Sequence, residues 1–397
     1  MTKSMNGLTI PDYREANGHI HTPYSFSAFN SIYTAFLKAK EEHIAVLGIN
    51  DFFVTDGYEI FHDGAISTHI FPLFNIEFIG LLKEEQKKGI RINDPNNPGR
   101  IYFCGKGLDY PFNPGFLTKL QLKSVIKKSQ GQIKAMIAKL NELIKPVNPR
   151  LSLSYGNIKE KFAHELVRER HLAKAVRHLA VENYQKEEDQ LKFIESLYGI
   201  KKSKAGMSDP AALENEIRSN LLKAGGAAFV EEDESSFLEL KKIIKIIIDA
   251  GGIPCYPVLL DDPSGKYTEF EADTENLYKS LSELGIGCIE LIPGRNDLSI
   301  LKNFVKYFEE KEFIILFGTE HNTPEMIPLT VSARGAAPLD ESLKRTGWEG
   351  ACIIAAHQYL RAHDRQGFVL SDGRNCHDQK KDLAKLGRLV IEYYLKL

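Results

Sequence analysis

Two histidines stand two apart in Asn17-Gly18-His19-Ile20-His21-Thr22-Pro23, between an isoleucine and a β-branched threonine. In an extended strand alternate residues share a face, so the imidazoles of His19 and His21 would point the same way. A metal ion can then take one nitrogen from each without bending the backbone. The alternative is a pair of solvent-facing histidines near the N-terminus. Other acids sit where apolar runs stop. Asp51 follows Leu47-Gly48-Ile49-Asn50, and Glu320 follows Phe313-Ile314-Ile315-Leu316-Phe317-Gly318-Thr319, with His321 and Asn322 beside it. Asp51 reads equally as a ligand or as a cap for the following loop.

Glu77 is buried in sequence terms, inside Phe71-Pro72-Leu73-Phe74-Asn75-Ile76-Glu77-Phe78-Ile79. An unpaired carboxylate in so apolar a run costs on the order of several kcal/mol, so pairing or a metal is expected. A carboxylate can also bridge two ions, as two-metal hydrolysis requires. The alternative places Asn75 and Glu77 on the solvent side of an edge strand. Lys106, in Gly105-Lys106-Gly107, and Arg295, after Pro293-Gly294, put cations and backbone amides near strand ends, where a phosphate could be held. His171, with Arg170 and Lys174 around it, reads on its own as an ordinary helix histidine. Neither GxxxxGK[ST] nor G-x-S-x-G occurs, which removes a P-loop and leaves acyl-enzyme chemistry without support.

These residues need a scaffold, and the apolar runs supply it. Strands are expected at 17–22, 47–54, 71–79, 100–104, 253–259, 287–292 and 313–317. Helices are expected at 30–43, 81–88, 236–250, 272–284, 298–310, 350–363 and 378–395. Between 117 and 222 the chain turns to Lys, Glu, Leu and Ala at helical spacing, predicting helices near 117–146, 158–180, 184–196 and 210–222. Because the αβ alternation resumes at 236, this stretch reads as a helical excursion from a mostly parallel sheet or closed barrel. In such barrels chemistry gathers at the C-terminal ends of strands, where His19, His21, Asp51, Glu77, Lys106 and Glu320 would meet.

Composition bounds the function. The 397 residues carry a net charge of -2, with acids and bases almost balanced, so no strong nucleic-acid footprint is present. No stretch reaches the length of uncharged apolar residues that a membrane span needs. The start, MTKSMNGLTIPDY, has no apolar signal segment. Cys104, Cys255, Cys288, Cys352 and Cys376 are odd in number and widely spaced, which fits reduced thiols in a cytoplasmic protein.

Taken in order, the pieces resemble the PHP (polymerase and histidinol phosphatase) family of metal-dependent phosphoesterases. His19-Ile20-His21-Thr22 resembles its opening H-x-H-T. Leu47-Gly48-Ile49-Asn50-Asp51-Phe52 stands where the family has an apolar run ending in T-D-H. Asn75-Ile76-Glu77 is similar to its G-x-E, Arg170-His171-Leu172-Ala173-Lys174-Ala175 to its R-H-I-A-x-A, Ala250-Gly251-Gly252-Ile253-Pro254-Cys255-Tyr256-Pro257 to its A-G-G-x-x-x-x-A-H-P, and Gly318-Thr319-Glu320-His321-Asn322 to its G-S-D-x-H. The likeness covers about 17–325.

The resemblance implies an α/β fold, a distorted (β/α)7 barrel, over 1–325 including the helical excursion; the tail, 326–397, lies outside the likeness and reads from its own pattern as a C-terminal helical extension packed on the barrel. It makes His171 a metal ligand beside His19, His21, Glu77 and Glu320, with Asp51 as a further candidate. Divalent Zn or Mn is implied, with Mg or Fe as alternatives, as one ion, or two if Glu77 bridges. The chemistry implied is hydrolysis of a small-molecule or nucleotide phosphoester, with Lys106, Arg170 and Arg295 on the substrate. Where the family has histidine this chain has Phe52, Tyr102, Tyr256 and Asn322. Glu320 replaces an aspartate, and Ser27 is the nearest match to a third early histidine. Those departures support a second reading, a degenerate member that binds a ligand or partner and hydrolyses nothing. Metal-dependent attack on a carbon–nitrogen bond is a third. The tail reads as a cap on the barrel or a contact in a homo-oligomer.

Overall fold

The structure is a computed structural model and describes residues 12–397. The stretch read above as lacking a signal segment lies outside the described residues, save Asp12 and Tyr13. Seven strands form one sheet in chain order: β1 Ala16–Ile20, β2 Val46–Phe52, β3 Phe71–Leu81, β4 Arg100–Lys106, β5 Ile253–Val258, β6 Cys288–Leu291 and β7 Ile314–Phe317. A bridge between Ile20 and Glu320 brings the end of β7 to the end of β1, so the sheet curls into a nearly closed barrel. Helices Leu240–Asp249, Thr274–Glu283 and Leu298–Glu310 flank it, each presenting an apolar face to the strands.

Strands β1 to β3 are parallel, as are β5 to β7, but β4 runs antiparallel to both of its neighbours. This corrects the expectation that Lys106 emerges on the same rim as the other strand ends. Parallel neighbours need a crossover as long as the barrel. The link from β3 holds only the five-residue helix Lys83–Lys87, so the chain returns directly. The start of β4, with Arg100 and Tyr102, therefore lies at the rim, and Lys106 enters from the opposite end.

Close approach of β1 and β2 depends on Gly48. A Cβ there would lie 2.5 Å from the Gly18 carbonyl oxygen and 2.7 Å from Asn75 Nδ2. Backbone cannot yield as a side-chain tip can. Gly48→Ala is expected to destabilise the protein by about 2–3 kcal/mol, read as a lower urea midpoint with unchanged slope.

The excursion forms helices Phe116–Val147, Tyr155–Phe162, Glu169–Asn183, Glu187–Leu197 and Pro210–Ile217, the last running into a π turn at Arg218–Leu222. They surround a buried cluster of their own, including Ile137, Leu172, Phe193 and Leu213. The helix expected at 158–180 is broken. Residues 163–168 are not helical, because Leu166 N–H donates to Tyr24 O and Val167 N–H to Gln130 Oε1. That break delivers Arg168 to the barrel rim. At the C-terminus, helix Glu341–Arg361 shares a buried cluster with Val46, Leu73, Ile253 and Ile314, sealing the lower end of the barrel. Gly350 lies so close to β7 that a Cβ would meet Ile315 O at 2.0 Å. Helix Lys380–Tyr394 crosses over it at Gly387, against Cys352. Among the described residues no helix is long and apolar enough to cross a membrane.

Candidate metal centre

Alternation along the strands fills the barrel interior with polar groups. His19 on β1, Asn50 on β2, Glu77 on β3, Cys104 and Lys106 on β4 and Glu290 on β6 all point inward and are buried. His19 Nε2 and His21 Nε2 are 3.2 Å apart, and Glu77 Oε2 lies 3.2 Å from His21 Nε2 and 3.8 Å from His19 Nε2. Two atoms each ~2.1 Å from one ion are about 3.0–3.4 Å apart in octahedral or tetrahedral geometry. Glu77 Oε2 has no hydrogen-bond partner.

The tautomers are set from behind. Ser25 Oγ donates to Asp51 Oδ1 at 2.5 Å, so it accepts from His21 Nδ1 at 3.2 Å. Glu290 Oε2, a carboxylate, accepts from His19 Nδ1 at 3.1 Å. Both protons being on Nδ1, each Nε2 presents a lone pair. With Glu77 ionised, three lone-pair atoms face one another; without an ion, the Glu77 carboxyl relieves this by holding a proton. A divalent cation resolves that arrangement, and the donor set of two imidazoles and a carboxylate suits Zn or Mn. Burial pushes the Glu77 carboxyl up to about 8, against the pull of His19. Burial pulls His21 down to about 4, keeping it neutral and able to ligate.

Glu290 is a functional candidate that the sequence reading missed. It sits mid-strand in Cys288-Ile289-Glu290-Leu291, and the logic applied to Glu77 would have found it. Lys106 Nζ approaches Glu290 Oε2 at 2.5 Å and Asn50 Oδ1 at 3.1 Å. Burial disfavours the Glu290 carboxylate, yet Lys106 and His19 hold it below the ordinary range. Lys106 is fully buried and is not among the residues lining the cleft above the centre. Asn50 Nδ2 sits within hydrogen-bond reach of His19, 3.2 Å from Nδ1 and 3.0 Å from Nε2. A second group of potential ligands, His19, Cys104 and Glu290, shares His19 with the first.

Above the centre opens a cleft of about 400 Å³, with His19, Glu77, Glu290 and Glu320 at its base. Its walls carry Arg100, Arg168, Arg170, Arg218, Lys223 and Arg295. The Arg168 guanidinium lies 4.5 Å from the centroid of Phe52, whose ring stacks on His21. Arg170 donates to Asn215 Oδ1 at 3.0 Å, and burial followed by the neighbouring Arg218 lowers it to about 10. Arg295 pairs with Glu320, which also accepts from Asn322 Nδ2 at 2.8 Å.

The structure thus brings His19, His21 and Glu77 together and places Glu320 and Arg295 beside them as an ion pair. Asp51 stands one layer back, accepting from Thr22 N–H, Thr22 Oγ1 and Ser25 Oγ. His171 Nδ1 accepts the Arg168 N–H at 2.9 Å, and its ring packs edge-on to Phe26. It belongs to neither ligand group among the described residues, and burial lowers it to about 3. Ser27 Oγ is taken by the Phe29 N–H. Of the residues standing for histidine, Tyr256 turns away and donates to Glu271 at 2.7 Å, while Phe52, Tyr102 and Asn322 line the cleft.

No family model and no curated protein matches the chain. Solved structures share its fold. A protein from Bifidobacterium adolescentis described as a metal-dependent phosphoesterase superimposes with a TM-score of 0.53 at 11% identity, over 85% of this chain and 96% of that one. An amidohydrolase from Chromobacterium violaceum, with bound sulfate and no metal, gives 0.54 at 15% identity, over 84% and 96%. At such identities the likeness is one of fold.

Proposed function

We propose that this chain is a divalent-metal-dependent hydrolase acting on a small phosphorylated substrate, a small-molecule or nucleotide phosphoester, in the cytoplasm. The observation that carries the reading is the convergence of His19 Nε2, His21 Nε2 and Glu77 Oε2, with both imidazole protons committed elsewhere. Fold likeness to a described phosphoesterase and the PHP-like motif order agree with it. An ion bound there would supply Lewis acidity and a water of lowered pKa. Glu290 and the Asp51–Ser25 pair fix the two imidazoles. Arg168 and Arg170, which make no ion pair among the described residues, are positioned to hold non-bridging phosphoryl oxygens, and Arg295 would be available for that task if Glu320, its present partner, were to take up the ion. Phe52 and Tyr102 line the cleft with ring centroids 6.2 Å apart and would limit water around a bound substrate.

Purified protein is expected to contain about one equivalent of divalent metal after loading with Mn²⁺ or Zn²⁺, and to release phosphate from phosphoesters only when loaded. Absence of metal and of any gain in turnover would sink the proposal. Phe52 and Asn322 favour a second reading, since neither can replace imidazole: a binding protein without turnover. Tight metal binding with no hydrolysis across mono- and diesters would select it.

A further inference from the structure

The two ligand groups meet at His19 and cannot both be filled as they stand. A neutral imidazole has one lone-pair nitrogen. His19 Nδ1 is spent on Glu290 Oε2 at 3.1 Å, leaving Nε2 for the group with His21 and Glu77. The other group already contains a cation. Lys106 Nζ lies 2.5 Å from Glu290 Oε2 and 3.1 Å from Asn50 Oδ1, and Cys104 Sγ stands beside it, 3.4 Å from Asn50 Nδ2. Reversal of β4 is what admits it: an ammonium on a flexible stem reaches up the barrel axis from the lower end. Helix Glu341–Arg361 closes that end, so the side chain has no route to solvent. A buried ammonium is a compact positive charge with three donors, the nearest organic equivalent to a metal ion among side chains.

We infer that the Lys106 ammonium is the second cation of this centre: it occupies the position between Glu290 and Asn50 that a second metal ion would take. It thereby keeps Glu290 ionised for His19 Nδ1 and restricts the barrel to one ion. The inference rests on the metal-site reading above. Lys106 touches neither substrate nor ion, and is a positioning residue.

Cobalt substitution separates the two claims. Wild-type protein titrated with Co²⁺ is expected to bind one ion per chain, without a thiolate-to-cobalt charge-transfer band. Lys106→Ala vacates the space between Glu290, Asn50 and Cys104 and is expected to bind two ions, the second held by Glu290, Asn50 Oδ1 and Cys104 without a nitrogen of His19, and bringing that band. Adding Cys104→Ser should remove the band, and Lys106→Arg should keep one ion. Two ions in wild type, or one ion with an unchanged spectrum in folded Lys106→Ala, overturns this inference and leaves the metal site standing. No ion in wild type overturns both. Where Lys106→Ala does not fold, the wild-type arm decides. One ion whose spectrum is unmoved by Cys104→Ser supports the inference, and a Cys104-dependent band overturns it.

Discussion

Glu77→Gln is expected to lower metal-dependent kcat/KM by about 10³-fold or more while leaving the protein folded. The two effects separate because of the protonation state of the metal-free site. Burial lifts the Glu77 carboxyl to about 8, so near neutral pH it is mostly protonated, and glutamine copies its shape and neutrality. What glutamine cannot supply is a carboxylate oxygen to an ion shared with His19 and His21. The sign of the stability effect follows from the same shift. A folded-state pKa above the unfolded value near 4.5 gives a contribution that is full below the unfolded value and lost as pH rises through about 8. Metal-free wild type should lose stability on the order of a few kcal/mol across that window, and Glu77→Gln should not. Urea midpoints at pH 5, 7 and 9 check this, alongside phosphate release with saturating Mn²⁺. Full activity in the variant would exclude Glu77 as the carboxylate ligand of the ion, whereas failure to fold would overturn the protonated state of the metal-free site. The same proton competes with metal, so wild-type affinity should rise about tenfold per pH unit up to about 8 and then level off.

Glu77 was legible because an acid in the middle of a long apolar run has few alternatives. Seven strands were legible for the related reason that continuous Val, Ile, Leu and Phe bounded by turns suit a strand buried on both faces. Direction was not. A strand's alternation is the same read either way, and only the lack of any helix longer than Lys83–Lys87 in the link 82–99 marked β4 as reversed. Lys106 was therefore placed with the strand-end cations when it lies beneath the site. Glu290 carried the same signal as Glu77, an acid inside the apolar run expected at 287–292, and the same argument applied there would have found it. The position of His171 depended on the break at 163–168. Leu166 and Val167 keep a helix-compatible spacing, and hydrogen bonds to Tyr24 and Gln130, remote in sequence, pull them out of it. Arg168, Arg218 and Lys223 were invisible for a simpler reason. Each is one of 51 basic residues, and only the packing of the helical layer over the rim brings them to one cleft.

Glu290→Ala is expected to produce the largest loss of stability, about 3–5 kcal/mol, because it strands a buried charge. The Lys106 ammonium would keep one partner, Asn50 Oδ1, with the lower end of the barrel closed by helix Glu341–Arg361. The Asp12–Arg345 pair, both members exposed at 72% and 53%, marks the contrast; breaking it should cost about 0–1 kcal/mol. The loss at Glu290 does not measure what the pair contributes. Desolvating two charges consumes most of their attraction, so Lys106→Met with Glu290→Met should recover most of the stability that Glu290→Ala loses. A double-mutant cycle by urea denaturation at pH 7 gives the coupling directly. Acid adds an independent check. The Glu290 carboxyl is held below its ordinary range, so its contribution is present above the unfolded pKa and lost as pH falls through the folded one. Wild type should therefore weaken faster in acid than the double Met variant. If Glu290→Ala stays within about 1 kcal/mol of wild type, Lys106 has found water or another acceptor, and the barrel interior is not the closed, ion-paired chamber on which a single metal position depends.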